Sequence, residues 1–440
     1  MKVVYVSDNR VRGNYGCRAT STALSQLIRQ HNEIVGTVTG RYTNFEMGPL
    51  FYKNGFSESF YKKMGARSNW NKLQGFLSDV HRAVHHGHGP FYYSKYDFVR
   101  PYDLDATIDN LIRCLPANPQ IAEYDLRQYD FDAVVVNGEG SFIFATPPWR
   151  ESVILLTMMH WAQLMGKKVY FVNAMLSDDP YSPHNDEFVS LTNKVLSKAD
   201  YVSVRDPWSL KYAHQYFPDV KTDLIPDALF TWYSLVNDSH VIDNGVYYMG
   251  HSLECDAYYQ DLDFTKPYIC ISGSSARAIS NDKAKTIDAY SELAKKVKDS
   301  LGCNVFLVDV CEGDEFLIEI GKKTGIPVIA LDTPIVAAAK ILANARLYIS
   351  GRYHPSIMAS LGGTPCIFMS SNSHKSASLQ ELLNYKDREE LPVIPTPESI
   401  DAIIRRGDMY LSEGSDLRNK IQSQVHLLAS QASRLADVIS

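Results

Sequence analysis

An arginine and a histidine two residues apart, Arg352 and His354, follow a short apolar run late in the chain. Side chains two positions apart in an extended segment project to the same side. Pro355 suits the first position of a helix, and Gly362 and Gly363 suit its end. A cation and an imidazole beside the free N–H groups of a helix start can hold a phosphate or carboxylate and transfer a proton. A helix-capping histidine next to a surface arginine fits the same spacing.

A second junction repeats this order, since Arg205, Asp206 and Pro207 follow the apolar run Tyr201–Val204. Asp206 is predicted to cap a helix whose first residue is Pro207. A cation just before a helix N-terminus is not favoured by the helix dipole. Arg205 is therefore expected either to bind an anion shared with that helix or to pair with Asp206.

A weaker candidate is Glu139, which lies between two glycines shortly after Asn137. Glycines let a ligand approach the backbone closely, and Glu139 is expected to be exposed enough to bind a sugar hydroxyl. Phe142 stands near the point where a dinucleotide fingerprint would have its third glycine, so that motif is not present. The remaining polar candidates follow other predicted strands: Asn14, Tyr15, Ser274, Ser275, Ser373 and Lys375.

Two series of short apolar runs, with helix-length segments between many of them, must position these groups. The first series is Val3–Val6, Ala133–Val136, Val169–Val172, Tyr201–Val204 and Leu224–Ile225. The second is Tyr268–Ile271, Val305–Val308, Val328–Leu331, Leu347–Ile349 and Cys366–Met369. Continuous apolar runs suit strands buried on both faces, and parallel strands need crossover connections. The pattern predicts two Rossmann-like α/β domains whose parallel sheets face a cleft, with ligands beyond the carboxyl ends of the strands.

The predicted domains are residues 1–235, with an insertion at about 45–102, and residues 262–412. An insertion of that length is often a lid or a binding loop. The loop-rich stretch Phe230–Lys266 is expected to connect the domains. Residues 413–440 are predicted to form one amphipathic helix that packs on the domains.

Composition excludes several classes of protein. The 440 residues include 44 Lys and Arg against 50 Asp and Glu, a net charge of −6, so no basic field for general nucleic-acid binding exists. Seven scattered cysteines without a CxxC pair predict reduced thiols rather than a disulfide framework. The N-terminus does not resemble a signal peptide, and no apolar stretch reaches the ~18 residues of a membrane span. A soluble cytoplasmic protein is expected, and its oligomeric state stays open.

A histidine-rich segment invites a metal-binding interpretation. His81 and His85 have the i, i+4 spacing of ligands on a helix, and His86 and His88 follow. An HExxH pattern and an acidic partner are missing from this segment, so a loop is the simpler interpretation. We expect no metal site here.

Five segments occur in the order found in the polysaccharide pyruvyl transferase family, which this chain resembles from about residue 12 to about 383. These segments are residues 14–16, 137–141, 203–207, 226–228 and 351–354. The resemblance implies a GT-B-like fold, phosphoenolpyruvate as the donor and a glycan or lipid-linked oligosaccharide as the acceptor. It implies no cofactor. An acceptor on a lipid would bring the enzyme to the inner face of the cell membrane. Departures from the family pattern are Tyr353, Pro355 and Glu139.

The resemblance also implies roles for the candidate residues. His354 would be the general acid. Arg205 and Arg352 would hold the donor, and Arg205 would also be a catalytic residue. The C-terminal domain would be the donor side, with Ser274, Ser275, Ser373 and Lys375 as further donor contacts. The N-terminal domain would be the acceptor side, with acceptor contacts from Asn14, Tyr15, Asn137 and Glu139.

The chemistry of that transfer fits the residues. Phosphoenolpyruvate carries a carboxylate and a phosphate, which two arginines can bind. Histidine can protonate the methylene carbon near neutral pH, and we expect His354 to do so chiefly once the dianionic donor is bound. Two glycan hydroxyls would then form a cyclic pyruvate ketal as phosphate leaves. The alternatives are a GT-B sugar-nucleotide-dependent glycosyltransferase with Glu139 as base, and a non-catalytic glycan-binding protein that uses its 27 tyrosines and five tryptophans.

Overall fold

The computed structural model of the protein describes residues 1–39, 98–115, 119–237, 262, 264–276 and 282–440. These residues divide into two units. The first contains Met1–Asn9, Ile28–Leu224 and Ala436–Ser440, and the second contains Arg10–Leu27 and Ile225–Leu435. The predicted insertion up to residue 97, with its histidines, and most of the predicted connection lie outside the described residues.

The first unit is built on a sheet of six parallel strands. They are β1 (Lys2–Val6), β2 (Glu33–Val38), β3 (Ala133–Ile143), β4 (Lys168–Ser177), β5 (Tyr201–Val204) and β6 (Thr222–Leu224), in the order β2-β1-β3-β4-β5-β6. The helices in this part of the chain are α1 (Tyr15–His31), which runs into it from the second unit, α2 (Leu104–Cys114), α3 (Arg150–Leu164), α4 (Asp186–Leu196) and α5 (Pro207–Tyr216). Short 3₁₀ helices span Pro119–Tyr124 and Leu126–Gln128. Apart from Lys2 and Gly140, the central strands β1 and β3 are buried, as expected where helices cover both faces.

The second unit is built on five parallel strands. They are β7 (Tyr268–Ser274), β8 (Asn304–Val308), β9 (Val328–Ile329), β10 (Leu347–Gly351) and β11 (Cys366–Phe368), in the order β11-β10-β7-β8-β9. A 3₁₀ helix at Ala228–Trp232 precedes them. The helices are α6 (Tyr233–Asn237), α7 (Lys283–Leu301), α8 (Phe316–Thr324), α9 (Ile335–Asn344), α10 (Tyr353–Leu361), α11 (Lys375–Leu382), α12 (Pro397–Glu413) and α13 (Ser415–Ala432). Helix α14 (Arg434–Val438) begins in this unit, and its residues from Ala436 onwards belong to the first unit.

The prediction of two parallel-sheet α/β domains is confirmed. Strand β2 was not predicted, because Gly36 interrupts its apolar run. Gly36 is needed there, since a Cβ at this position would lie 2.4 Å from the ring of Tyr129. The predicted single C-terminal helix is two helices, α13 and α14. The units also differ from the predicted division, because Arg10–Leu27 groups with the second unit.

Each sheet has one point at which the strand order reverses. In the first unit this point lies between β1 and β3, and in the second it lies between β7 and β10. Open parallel sheets bind ligands beyond the carboxyl ends of the strands at such a point. The places to look for a site are therefore the end of the β1–β3 pairing, next to Asn137 and Glu139, and the end of β7 and β10, at Ser274 and Arg352.

Candidate functional site

Helix α10 begins at Tyr353, two residues before the predicted start at Pro355. Arg352 is the residue before the helix, and its carbonyl accepts a hydrogen bond from Ser356 N at 3.2 Å. Proline is tolerated at Pro355 because the N–H groups of the first turn have no partner inside the helix. The predicted end at Gly362 is confirmed. His354 therefore lies within the first turn, where the helix dipole favours an anion.

His354 is paired with a buried carboxylate. Its Nε2 lies 3.1 Å from Oδ2 of Asp227, which is fully buried, while the His354 side chain is 12% exposed. The other carboxylate oxygen, Oδ1, accepts hydrogen bonds from Thr20 Oγ1 at 2.7 Å and Leu229 N at 3.0 Å. An ionised carboxylate only accepts hydrogen bonds, so Nε2 must donate to it. This pairing fixes the ring orientation and leaves Nδ1 as the ring nitrogen that is not bonded to the carboxylate.

The backbone at Gly16 lies against the same imidazole ring. A Cβ at position 16 would be 2.6 Å from His354 Nδ1 and 2.8 Å from His354 Cβ. No side chain fits there without displacing the ring. Gly16 thus lets α1 approach His354, a role that the sequence analysis did not assign.

Arg352 forms a two-point ion pair with Asp314. Arg352 Nη2 lies 2.6 Å from Asp314 Oδ1 and Nε lies 3.2 Å from Oδ2, with the Asp314 side chain fully buried. Burial lowers the pKa of Arg352, but Asp314 and Cys311 outweigh it and raise the pKa overall. Burial raises the pKa of Asp314 and the facing guanidinium opposes this. The paired hydrogen bonds use both carboxylate oxygens as acceptors, so the ionised pair is the state that fits the geometry.

Ser274 and Ser275 lie beside this arginine at the β7–β10 junction. Ser274 pairs in register with Gly351, where a Cβ would be 2.3 Å from Ser274 Oγ. The Ser274 hydroxyl donates to the Ser370 carbonyl, and Ser275 Oγ lies 3.5 Å from the Gly351 carbonyl oxygen. The structure thus brings two predicted donor contacts next to the strand that leads into Arg352.

The other two predicted donor contacts, Ser373 and Lys375, follow the neighbouring strand β11. Lys375 Nζ donates to Asn372 Oδ1 at 3.1 Å, and the Ser373 carbonyl accepts from Ser371 Oγ at 2.7 Å. At the start of α11 the Ala377 N–H is taken by the carboxyl of Glu390, whose pKa burial raises to about 7. A carboxyl group thus already uses one N–H of this helix start.

The first unit has a buried amide–carboxylate cluster at its β1–β3 junction. Glu139 Oε1 accepts from Asn9 Nδ2 at 2.9 Å and from Asn137 Nδ2 at 3.0 Å, and Asn173 Nδ2 donates to Asn137 Oδ1 at 2.9 Å. Glu139 is 5% exposed and Asn137 is fully buried. The expectation that Glu139 is exposed is wrong, because its flanking glycines pack closely: a Cβ at Gly138 would be 2.5 Å from Ala174.

Backbone strain is concentrated in this cluster. Ser7, Glu139 and Asn173 have φ angles of 65°, 39° and 56°, and only one other non-glycine residue in the described part of the chain has a positive φ. Residues held in such conformations collect at functional sites, where the surrounding contacts keep them in place. The cluster is therefore a candidate binding site in its own right.

Arg205 and Asp206 stand at the carboxyl end of β5. Asp206 caps α5, since its carboxylate accepts from Ser209 N at 2.9 Å and Ser209 Oγ at 2.7 Å, and Pro207 is the first helical residue as predicted. Arg205 is only 1% exposed, and its backbone N–H donates to the Ala174 carbonyl at 2.9 Å. Its assignment to the donor stays a prediction.

Asn14 and Tyr15, predicted on the acceptor side, belong to the second unit. Asn14 Oδ1 accepts from Cys17 N at 3.2 Å, which satisfies the start of α1. Tyr15 is fully buried and its hydroxyl donates to the Ala330 carbonyl. The structure thus places the Tyr15 side chain in the core, which argues against the predicted contact with an acceptor.

Comparison with known proteins decides the family. The family model for polysaccharide pyruvyl transferases matches residues 14–373. The chain belongs to the polysaccharide pyruvyl transferase family. No curated protein matches it significantly.

Solved structures agree on the fold of this pyruvyl transferase family member. UDP-GlcNAc 2-epimerase from Neisseria meningitidis bound to UDP-GlcNAc is similar with a TM-score of 0.52 and 12% identity, covering 98% of this chain and 99% of the epimerase chain. A variant of Os79 from O. sativa in complex with UDP is similar with a TM-score of 0.52 and 13% identity, covering 100% of both chains. At this identity the likeness concerns the fold alone, which is GT-B-like as predicted.

The family assignment gives context to residues that the sequence analysis quoted without a role. Asp227 and Gly16 both lie in segments that carried the resemblance, and both lie against His354. Asp314 lies in none of those segments, and only the fold brings it to Arg352. Within the described residues, no group of His, Cys, Asp and Glu is placed to hold a metal ion, and no helix is long and apolar enough to cross a membrane.

Proposed function

We propose that this pyruvyl transferase moves a pyruvyl group from phosphoenolpyruvate to two hydroxyls of a glycan, forming a cyclic ketal and releasing phosphate. The glycan would be a precursor of a cell-envelope, capsular or exopolysaccharide. The observation that carries the proposal is the pairing of His354 with the buried carboxylate of Asp227. His354 lies in the first turn of α10, and Arg352 directly precedes that helix. Family membership supports the pyruvyl transfer.

The donor is proposed to bind at the carboxyl edge of the second sheet. The start of α10, where the helix dipole favours negative charge, is proposed to attract its phosphate or carboxylate. Arg352 supplies a guanidinium whose orientation Asp314 fixes, so little rotational entropy is lost when a ligand binds. Arg205 is proposed as the second cation, because the donor carries two anionic groups.

His354 is proposed as the general acid. Its Nδ1–H protonates the methylene carbon of phosphoenolpyruvate, and C2 becomes an oxocarbenium-like centre. One glycan hydroxyl adds to C2 and loses its proton, the C2–O bond to phosphate breaks, and the second hydroxyl closes the ring and loses its proton. One of the two released protons replaces the proton taken from His354, and the other leaves with phosphate. Asp227 keeps the His354 ring oriented throughout.

The proposed reaction needs no oxidant or reductant, because the hydrogen gained at C3 is balanced by the second C–O bond formed at C2, and we propose that no cofactor takes part. The acceptor hydroxyls are proposed to bind the amide–carboxylate cluster of the first unit, where Asn137 and Glu139 offer a donor and an acceptor for hydrogen bonds. Neutral amide groups are better hydrogen-bond partners for hydroxyls than is the edge of the second sheet, which carries Arg352.

The test begins with donor choice. We expect phosphoenolpyruvate to raise the melting temperature, because a ligand that binds only the native state stabilises it. Stabilisation by UDP-sugars and not by phosphoenolpyruvate would favour the glycosyltransferase alternative. Incubation with phosphoenolpyruvate and a panel of glycans should then release phosphate and give a new ketal methyl signal in the proton NMR spectrum. His354→Ala should abolish both signals, and turnover at the wild-type rate in this variant would refute the assigned role.

A further inference from the structure

Asp309 is a buried carboxyl group that the proposed mechanism does not use. It follows β8 directly, on the strand next to β7, and is 3% exposed. One of its carboxyl oxygens accepts the backbone N–H of Cys311. The other, Oδ1, has no hydrogen-bond partner among the described residues. A buried ionised carboxylate with an unpaired oxygen is unfavourable, so the neutral acid is the form that this site accommodates.

The negative charges that face Asp309 also favour its neutral form. Asp314 and Glu315 are both negative, and Arg352, the positive group among them, is already paired with Asp314. Burial, followed by Asp314 and Glu315, raises the pKa of Asp309 to about 8, against the opposing effects of Arg352 and the Cys311 N–H. Burial also raises the pKa of the Cys311 thiol, so no charge is added from that side.

We propose that Asp309 is a proton-holding residue whose neutral state permits anion binding at Arg352 and whose ionisation prevents it. Arg352 is neutralised by Asp314 and Glu315 adds a negative charge, so one more carboxylate makes this group of side chains still more negative. A phosphate or carboxylate ligand approaching the β7–β10 edge would then meet a repulsive field. Only the identity of the ligand, phosphoenolpyruvate, rests on the proposed function.

The proposal predicts how affinity changes with pH. If the anion binds only the form with neutral Asp309, its dissociation constant rises about tenfold per pH unit above the pKa of the free protein. Asp309→Asn keeps the shape of the neutral acid and carries no charge at any pH. Its dissociation constant should therefore stay flat over the range in which that of the wild type rises.

The experiment measures binding of phosphoenolpyruvate and, separately, inorganic phosphate by calorimetry from about pH 7 to 9.5, a range that spans the pKa. Asp299→Asn, on the exposed surface of α7, is the matched control and should behave as the wild type. The proposal is overturned if Asp309→Asn keeps the wild-type slope, or if neither anion shows an Asp309-dependent slope. Binding of phosphate without consumption of phosphoenolpyruvate would count against the proposed function and leave the role of Asp309 supported.

A second measurement needs neither ligand nor turnover. The carbonyl stretch of a protonated carboxyl is visible in the infrared spectrum, and in the wild type we expect one such band to disappear as the pH rises past about 8. Asp309→Asn, or Asp309→Ala if the first variant does not fold, should lack that band at neutral pH. Because Glu390 is also partly protonated at neutral pH, the readout is the difference between the wild-type and Asp309→Asn spectra. A difference spectrum with no such band at neutral pH would show that Asp309 is ionised, and the proposal would be wrong.

Discussion

Replacement of Asp227 by Asn should place His354 in the wrong tautomer. Thr20 Oγ1 and Leu229 N both donate to Oδ1 of Asp227, so in Asp227→Asn the amide oxygen takes that position. The amide NH₂ then faces His354 Nε2 and can only donate. Nε2 must accept, the proton moves to Nδ1 of a neutral ring, and the imidazolium loses its carboxylate partner.

The expected size of the effect follows from this change of partner. In the serine-protease triad the same Asp-to-Asn change, with geometry retained, lowers kcat by about 10⁴. We expect a loss of roughly 10³–10⁴ in kcat, about 4–5.5 kcal/mol in the activation free energy. The KM for phosphoenolpyruvate should change little, because Asp227 is not proposed to touch the donor.

The assay follows phosphate release under saturating donor, with nitrogen-15 NMR of the His354 ring as a direct readout of the tautomer. Thr20→Ser, which keeps the hydroxyl that donates to Asp227, is the matched control and should retain most of the activity. An Asp227→Asn variant with kcat within about fivefold of the wild type, roughly 1 kcal/mol, would refute the assigned positioning role.

Three further outcomes are expected. Gly16→Ala should lower kcat about a hundredfold, because the new Cβ displaces the His354 ring, while the circular-dichroism spectrum stays that of a folded protein. An unchanged kcat would contradict the close approach of Gly16 to His354. Arg352→Lys should raise the KM for phosphoenolpyruvate at least about tenfold, because lysine cannot keep the two-point ion pair with Asp314. An unchanged KM would argue against donor binding at Arg352. The folded state holds the Asp309 proton up to about pH 8, whereas the unfolded chain loses it above about pH 4. The free energy of unfolding should therefore fall between these values by at most about 1.4 kcal/mol per pH unit, and denaturant titrations of Asp309→Asn should show a smaller fall.

The sequence predicted the sheets because their strands are continuous apolar runs, a signal that depends on burial alone. Val3–Val6 and Ala133–Val136 lie within β1 and β3 as predicted. It also located the cap Asp206, whose partner Ser209 is three residues away. Local chemistry of this kind can be read without tertiary structure.

The partners of the candidate site could not be predicted in the same way. Asp227 is 127 residues from His354 and Asp314 is 38 residues from Arg352, so no spacing rule connects them. The buried state of Glu139 was missed for a related reason. Two flanking glycines suggest exposure, but here they permit close packing against β4.

The carboxyl edges of the two sheets carry different chemistry, and that difference supports the proposed division of labour. At the edge of the second sheet, Arg352 and His354 are each held by a fully buried carboxylate, an arrangement suited to an anion and a proton. At the edge of the first sheet, amides surround Glu139, and its neighbours Ser7 and Asn173 adopt left-handed backbone conformations. Each such residue costs roughly 1–3 kcal/mol, so three in one cluster persist only because the network of hydrogen bonds determines them together. The hydrogen-bonding groups of this cluster are therefore already held in place before a ligand binds. Such pre-organisation suits a neutral polar ligand such as an acceptor hydroxyl.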